Sequence, residues 1–203
     1  MTELNQILHA DCMDVMQDIP DKYFELAIVD PPYGLDINTS GRLVKEKGLK
    51  YKDWDKTIPS PLYFKELSRI SQNQIIWGGN YFTLPATRGF IIWDKQQPEG
   101  VSFASCEFAW SSFDRSAKTF YQRPQGEKQF HPTQKPVQLY KWLLKTYAKQ
   151  GDKILDTHSG SGSLAVACID MGFQYLAIEK DKDYYNASIK RIEKENIKLK
   201  LAI

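Results

Sequence analysis

A chain of 203 residues, 42% apolar and 13% aromatic, suits a globular protein with one good hydrophobic core. No apolar run reaches the ~18 residues of a membrane span, and the stretch Met1 to Asn5 has neither a basic flank nor a signal-like apolar core, so the expectation is no membrane and a cytoplasmic setting. A net charge of +2 makes no case for a nucleic-acid partner by itself, and three scattered cysteines, Cys12, Cys106 and Cys168, fit neither a disulfide framework nor a metal pattern.

In chain order, residues 6–9 read as a short strand leading into Asp11 and Cys12. Residues 13–16 form a brief helix closed by Pro20 and Asp21, which Asp11 can cap. An apolar run at 24–29 has the length of a buried strand. It stops at Asp30-Pro31-Pro32-Tyr33, because two successive prolines cannot continue a sheet. Residues 34–60 show little periodicity and are locally basic, with Arg42, Lys45, Lys47, Lys50 and Lys52 interleaved with Tyr51 and Trp54. Such a long connection is either a solvated loop or one that grips a strand or closes a site.

Ser60-Pro61 is a helix start, cap followed by first-turn proline, with Leu62, Phe64, Leu67 and Ile70 as its apolar face. Residues 75–77 are the next strand, turned by Gly78-Gly79-Asn80. Residues 90–93 and 107–110 are two more, expected as an antiparallel edge pair, and 114–130 is a second irregular basic segment containing Arg115, Lys118, Arg123 and Lys128. His131-Pro132-Thr133-Gln134-Lys135-Pro136 precedes a helix to about Lys149, with Gly151 beyond its end. A short strand at 153–155 enters the loop Asp156 to Ser163, a helix follows to Met171, and a strand at 175–178 ends at Glu179. Residues 181–196 are an amphipathic helix. The tail alternates Ile197, Leu199, Leu201 and Ile203, and three readings stay open: a last strand, a helix end, or an edge for homodimer formation. Alternating strands and helices without a linker argue for one α/β domain over 1–203, with loop insertions near 34–60 and 114–130.

Two stretches carry chemistry. Asp30-Pro31-Pro32-Tyr33 places an acid, rigid carbonyls and a ring at a strand's C-terminal end, where open α/β sheets bind ligands; a plain strand-ending turn is the plainer alternative. From Lys153 to Glu179 runs a strand–glycine loop–helix–strand unit in which Gly160 and Gly162 allow close backbone approach. Glu179 stands near the ~20-residue spacing at which an acid meets ribose hydroxyls. The loop lacks the Gly-Lys-Ser/Thr of a phosphate-gripping loop. A nucleoside cofactor and a structural turn both fit it, with Asp156 as a cap in the second case.

Taken together in this order, Asp30–Tyr33, then His131–Pro136, then Asp156–Ser163, the chain resembles the permuted (β-group) S-adenosylmethionine-dependent DNA adenine-N6 methyltransferases. The resemblance implies a doubly wound, seven-stranded, mostly parallel sheet, a circularly permuted Rossmann-like fold. It implies S-adenosylmethionine as cofactor, double-stranded DNA as partner and, in this family, base flipping and restriction–modification. It assigns catalysis to Asp30, Pro31, Pro32 and Tyr33. It assigns cofactor binding to Asp11, Cys12, Thr133, Gln134, Lys135, Asp156, His158, Ser159, Gly160, Ser161, Gly162, Ser163 and Glu179, with Asp11 meeting the cofactor's adenine amine and Thr133, Gln134 and Lys135 near its methionine end. His158 and Ser163 stand where the family usually has Phe and Thr. Cytosine-N4 methylation, RNA or protein-amide methylation, and a non-catalytic nucleic-acid-binding module of the same fold are the alternatives.

Overall fold

The computed structural model describes residues 3–36, 52, 54–98, 100, 104–123 and 130–201. Arg42, Lys45, Lys47, Lys50 and Tyr51 of the first basic segment, and Lys128 of the second, lie outside the described residues.

Eight strands form one sheet among the described residues: β1 Gln6–His9, β2 Phe24–Val29, β3 Ser71–Trp77, β4 Ile91–Asp94, β5 Cys106–Ser111, β6 Lys118–Tyr121, β7 Lys153–Asp156 and β8 Gln174–Glu179. Their order is β1-β8-β7-β2-β3-β5-β4-β6. Neighbours are parallel except β5, which runs against both β3 and β4. Among the described residues five α-helices accompany them, α1 Cys12–Met16, α2 Pro61–Ile70, α3 Val137–Tyr147, α4 Ser163–Met171 and α5 Lys182–Leu201, with a 3-10 turn at Gly79–Tyr81.

Strand alternation builds a core on each face of the sheet. Leu26, Ile28, Ile75, Trp77, Ile154, Tyr175 and Ala177 pack with residues of α3 and α4 and with Ile192 of α5. The intervening Ala27, Val29, Ile76, Leu155 and Leu176 pack with Met16 of α1 and with Tyr63, Leu67 and Ile70 of α2. Because both faces are covered, β2 from residue 26 to 29 reads as a continuous apolar run rather than an alternating one. Trp77 and Trp93 are among the largest fully buried side chains, and burying a large apolar side chain contributes about 1.5–3 kcal/mol.

The seven strands expected from sequence all form, and the antiparallel β4–β5 pair is present. The sheet has an eighth strand, β6, so the expected count of seven is corrected and β4 is not at the edge. β6 pairs parallel with β4 from inside the segment read as irregular. Lys118, Thr119 and Tyr121 are exposed, so the strand carries no apolar run; Phe120 rests on Trp142 at 5.3 Å between ring centroids. β3 begins at Ser71, earlier than the apolar signal. Its polar opening is satisfied internally: Ser71 Oγ donates to the Leu67 carbonyl at 2.5 Å, and Gln74 Nε2 donates to the Ser71 carbonyl at 2.9 Å. Pro136 caps α3 from an extended conformation instead of occupying its first turn. The tail continues α5 as a helix to Leu201, which excludes the last-strand reading over that stretch.

Candidate active site

The permuted chain order produces a reversal in the sheet at β7 and β2, which lie side by side. From β7 the chain passes through α4 to β8 on one side, and from β2 through α2 to β3 on the other. The loops after such neighbouring strands diverge to opposite faces and leave a crevice at their carboxyl ends. Here the crevice is a cleft of about 1330 Å³. Asp30 to Tyr33 after β2, Thr157 to Ser161 after β7, Glu179 after β8, Asp11 to Met13 after β1 and Gly78 after β3 all line it. The two motifs, about 130 positions apart in sequence, share one cavity.

On the β2 side, Asp30 Oδ1 accepts a hydrogen bond from the Tyr33 hydroxyl at 2.5 Å, and Oδ2 accepts one from Lys135 Nζ at 2.5 Å. The same ammonium lies 3.0 Å from Glu107 Oε2, and Glu107 Oε1 is 2.7 Å from Lys95 Nζ. Burial pushes the Asp30 carboxyl above the usual carboxylate range, against the pull of Lys135. For Lys135, burial alone favours the neutral amine, but the facing Asp30 and Glu107 outweigh it and hold the ammonium above its ordinary value. Burial and then the Asp30 charge push the Tyr33 phenol well up, so it stays a donor. The Tyr33 ring is stacked on Tyr81, centroids 5.0 Å apart and planes 17° off parallel. It lies so close over Gly78 that a Cβ there would come 2.2 Å from the ring. Its backbone N–H donates to Asp55 Oδ1 at 2.7 Å.

On the β7 side, Glu179 binds the glycine loop itself: Oε2 accepts from the Gly160 N–H at 2.7 Å, and Oε1 from the Asp181 N–H at 2.7 Å. Burial raises its carboxyl despite these donors. Gly160 has φ of +51°, and a Cβ there would stand 3.3 Å from His131 Nε2. Two buried atoms on this wall, Ser159 Oγ and Gln134 Oε1, have no hydrogen-bond partner, and both residues line the cleft. Beside a cleft, such unpaired polar atoms leave hydrogen-bonding capacity that a polar ligand can take up. Asp11 caps α1 through the Met13 N–H at 2.9 Å and pairs with Lys180 at 2.8 Å; that hydrogen bond holds its carboxyl below the usual range. Burial pushes the Cys12 thiol up to about 12, so it is unreactive. His158 is driven by burial down to about 4. It is therefore a neutral ring, set edge-on to Tyr63 at 5.3 Å.

Of the residues singled out from sequence, Asp156 and Gly162 do not line the cleft. Asp156 sits behind it, accepting the His158 N–H at 3.1 Å, which fixes the loop's exit from β7. Gly162 caps α4 with φ of +72° and faces Ser188 of α5. Lys135 joins the acid end of the cleft, against Asp30 and Glu107. Asp55, Tyr81, Glu107 and Tyr184 also line the cleft, yet sequence reasoning gave them no place in the site. Glu107 and Asp55 were findable only as buried acids, and burial is not visible in a chain without a pattern around it.

Residues 76–190 match the profile of the DNA methylase family. The chain is 25% identical to the Type II methyltransferase M.HinfI of Haemophilus influenzae, over 93% of this chain and 68% of that protein. It is 25% identical to the Type II methyltransferase M2.DpnII of Streptococcus pneumoniae, over 94% and 90%. Among solved structures it resembles M1.HpyAVI in its complex with SAM, with a TM-score of 0.64 at 23% identity over 92% of this chain and 98% of that one. It also resembles the cytosine-N4-specific PvuII DNA methyltransferase, with a TM-score of 0.65 at 11% identity over 93% and 86%. The match to the family profile spans more than half of the sequence, from the end of β3 into α5, and takes in Glu107, Lys135, the glycine loop and Glu179: the chain belongs to the DNA methylase family.

Proposed function

We propose that this protein transfers the methyl group of S-adenosylmethionine to the exocyclic N6 amine of adenine in double-stranded DNA. The observation that carries the reading is the shared cleft, with the Asp30 carboxylate on one wall and the Gly160 loop on the other. The wall residues fit the cofactor: Glu179, Asp11, Ser159, Gln134 and the Gly160 backbone offer the polar contacts a nucleoside and an amino acid need. Bound there, the cofactor supplies a methyl group already activated on a sulfonium. The exocyclic amine of adenine is a poor nucleophile because its lone pair is delocalised into the ring. Asp30 accepts one amine hydrogen and the Pro31 carbonyl the other, which localises the lone pair and aims it. This is alignment plus charge stabilisation. Pro32 stiffens the turn. Tyr33 and Tyr81 form an aromatic wall for the base, and a base–aromatic stack contributes about 1–3 kcal/mol. A base within a duplex must rotate out to reach this depth, at a cost of a few kcal/mol. No helix among the described residues is long and apolar enough to cross a membrane, and a cytoplasmic setting is part of this reading, supported by the likeness to Type II methyltransferases of bacteria.

The test is to incubate the protein with methyl-labelled S-adenosylmethionine and unmethylated duplex DNA, digest the DNA to nucleosides, and identify the labelled one. N6-methyladenine is expected; label on N4-methylcytosine assigns the other amine, and no label in DNA refutes the reading. Asp30→Ala is expected to abolish transfer while cofactor binding persists.

A further inference from the structure

Asp30, Lys135, Glu107 and Lys95 form a ladder of alternating charge across the base side of the cleft. Its steps are 2.5 Å from Asp30 to Lys135, 3.0 Å from Lys135 to Glu107 and 2.7 Å from Glu107 to Lys95. Lys135 is 3% exposed, so its ammonium has little water to turn to. An unshared buried ammonium would collapse onto a lone carboxylate. Asp30 must instead remain an acceptor for a substrate amine while touching a cation. Glu107 resolves this conflict. It comes from β5, opposite Trp93 of β4, and Lys95, just past the end of β4, is held by its backbone bond to Ser105 at 2.9 Å. Glu107 and Lys95 are therefore both fixed by the β4–β5 pairing. The Lys135 ammonium also lies 5.2 Å from the Trp77 ring, which limits where it can go.

We propose that Glu107 is a positioning residue for methyl transfer, sharing Lys135 with Asp30 so that Asp30 is not drawn wholly onto the ammonium and keeps lone pairs aimed at the incoming amine. The inference rests on the methylation reading above and deepens it. Glu107 acts through Lys135, with no contact to the reacting atoms required. The groups whose charge or hydroxyl bears on Asp30 are Tyr33 of its own turn, Lys135 ahead of α3, Glu107 of β5, Tyr63 of α2, Tyr140 of α3 and Asp156 at the end of β7. Glu107 is the like charge among them that pushes the Asp30 carboxyl up, and Lys135 the cation that pulls it down. The ladder as it stands is neutral. Without Glu107 it is left with one extra positive charge, which stabilises the Asp30 carboxylate and draws it onto Lys135. Without Lys95 it carries one extra negative charge, with the opposite effect.

The experiment measures kcat against pH for methyl transfer to mixed-sequence unmethylated duplex DNA, using the full chain, Glu107→Gln, Glu107→Asp and Lys95→Met. In parallel, the Asp30 carboxyl is titrated by carbon-13 NMR in aspartate-labelled protein. Glu107→Gln is expected to lower kcat on the order of 10- to 100-fold, the scale of a ~1 Å misplacement, with the KM for S-adenosylmethionine unchanged. Its acid limb should move to lower pH, that of Lys95→Met to higher pH, and that of Glu107→Asp back toward wild type. A purely structural role would lower activity without moving the limbs in opposite directions. Should Glu107→Gln fail to fold, the upward displacement in Lys95→Met carries the test. Limbs and Asp30 titrations that coincide with wild type in the folded variants overturn the proposal. Displaced Asp30 titrations in a protein that transfers no label to adenine retain the charge ladder and reject the methylation reading instead.

Discussion

Asp156 shows what a single buried acid does to this protein. It lies behind the glycine loop, accepts the His158 N–H, and is raised by burial to about 8. In the unfolded chain an aspartate releases its proton near pH 4, whereas the folded protein retains it to about pH 8. Between those values the unfolded state binds fewer protons, so this group's contribution to stability falls as pH rises through the window. Asp156→Asn keeps an oxygen that can accept the His158 N–H and removes the titration. Thermal melts should therefore show the variant gaining on wild type from pH 5 to pH 8, with little difference at the acid end. An equal offset at both pH values would mean that Asp156 is ionised in the fold. Asp156 and Asp30 thus differ in kind. Asp156 accepts from the His158 backbone N–H, while Asp30 has Lys135 and Tyr33 on its two oxygens.

Among the elements, the join between α1 and α2 depends on one side chain. Arg69, in the last turn of α2, donates to the Met16 carbonyl at 2.8 Å and the Ile19 carbonyl at 2.7 Å, and it pairs with Glu66 and Asp21. The pair with the exposed Asp21 contributes little. The two carbonyl contacts matter more, since an unmet polar group in a partly buried place costs about 1–3 kcal/mol. Arg69→Ala should lower the urea midpoint by an amount corresponding to about 1–2 kcal/mol and leave S-adenosylmethionine affinity nearly unchanged. An unaltered midpoint would show that water replaces the guanidinium without loss. The antiparallel pair β4–β5 has a different task. It extends the sheet beyond β3 and carries Lys95 and Glu107 to the cleft wall, so the part of the sheet that departs from parallel order supplies half of the charge ladder.

At the scale of the whole molecule, the cleft draws on the ends of β1, β2, β3, β7 and β8 at once, so a cofactor that fills it ties both halves of the permuted chain together. S-adenosylmethionine at about 100 times its Kd should stabilise the protein by about 2.7 kcal/mol. For a domain of this size that is a rise in Tm of roughly 5–10 °C. Asp30→Ala should show the same rise, because its loss falls on the base side of the cleft. Gly160→Ala should lose most of it, because the new Cβ strains a positive φ and crowds His131. A full shift in Gly160→Ala would place the cofactor away from the glycine loop.

By itself the sequence determined the strand that ends in Asp30-Pro31-Pro32-Tyr33, the glycine loop after β7, and the acid at the end of β8. These signals are local: two prolines stop a strand, glycines permit positive φ, and continuous apolar runs mark strands covered on both faces. Through the order of its motifs it also determined the permuted sheet. The tertiary structure alone decided which side chains face one another across the cleft. Nothing near Glu107 in the chain marks it as the partner of Lys135, nor does anything near Asp55 mark it as the acceptor for Tyr33. Such pairings are set by strand register and by a buried cation's need for a second carboxylate, and both are properties of the assembled sheet. β6 escaped the sequence for a related reason: an exposed edge strand is held by backbone hydrogen bonds to β4, and those leave no pattern in its side chains.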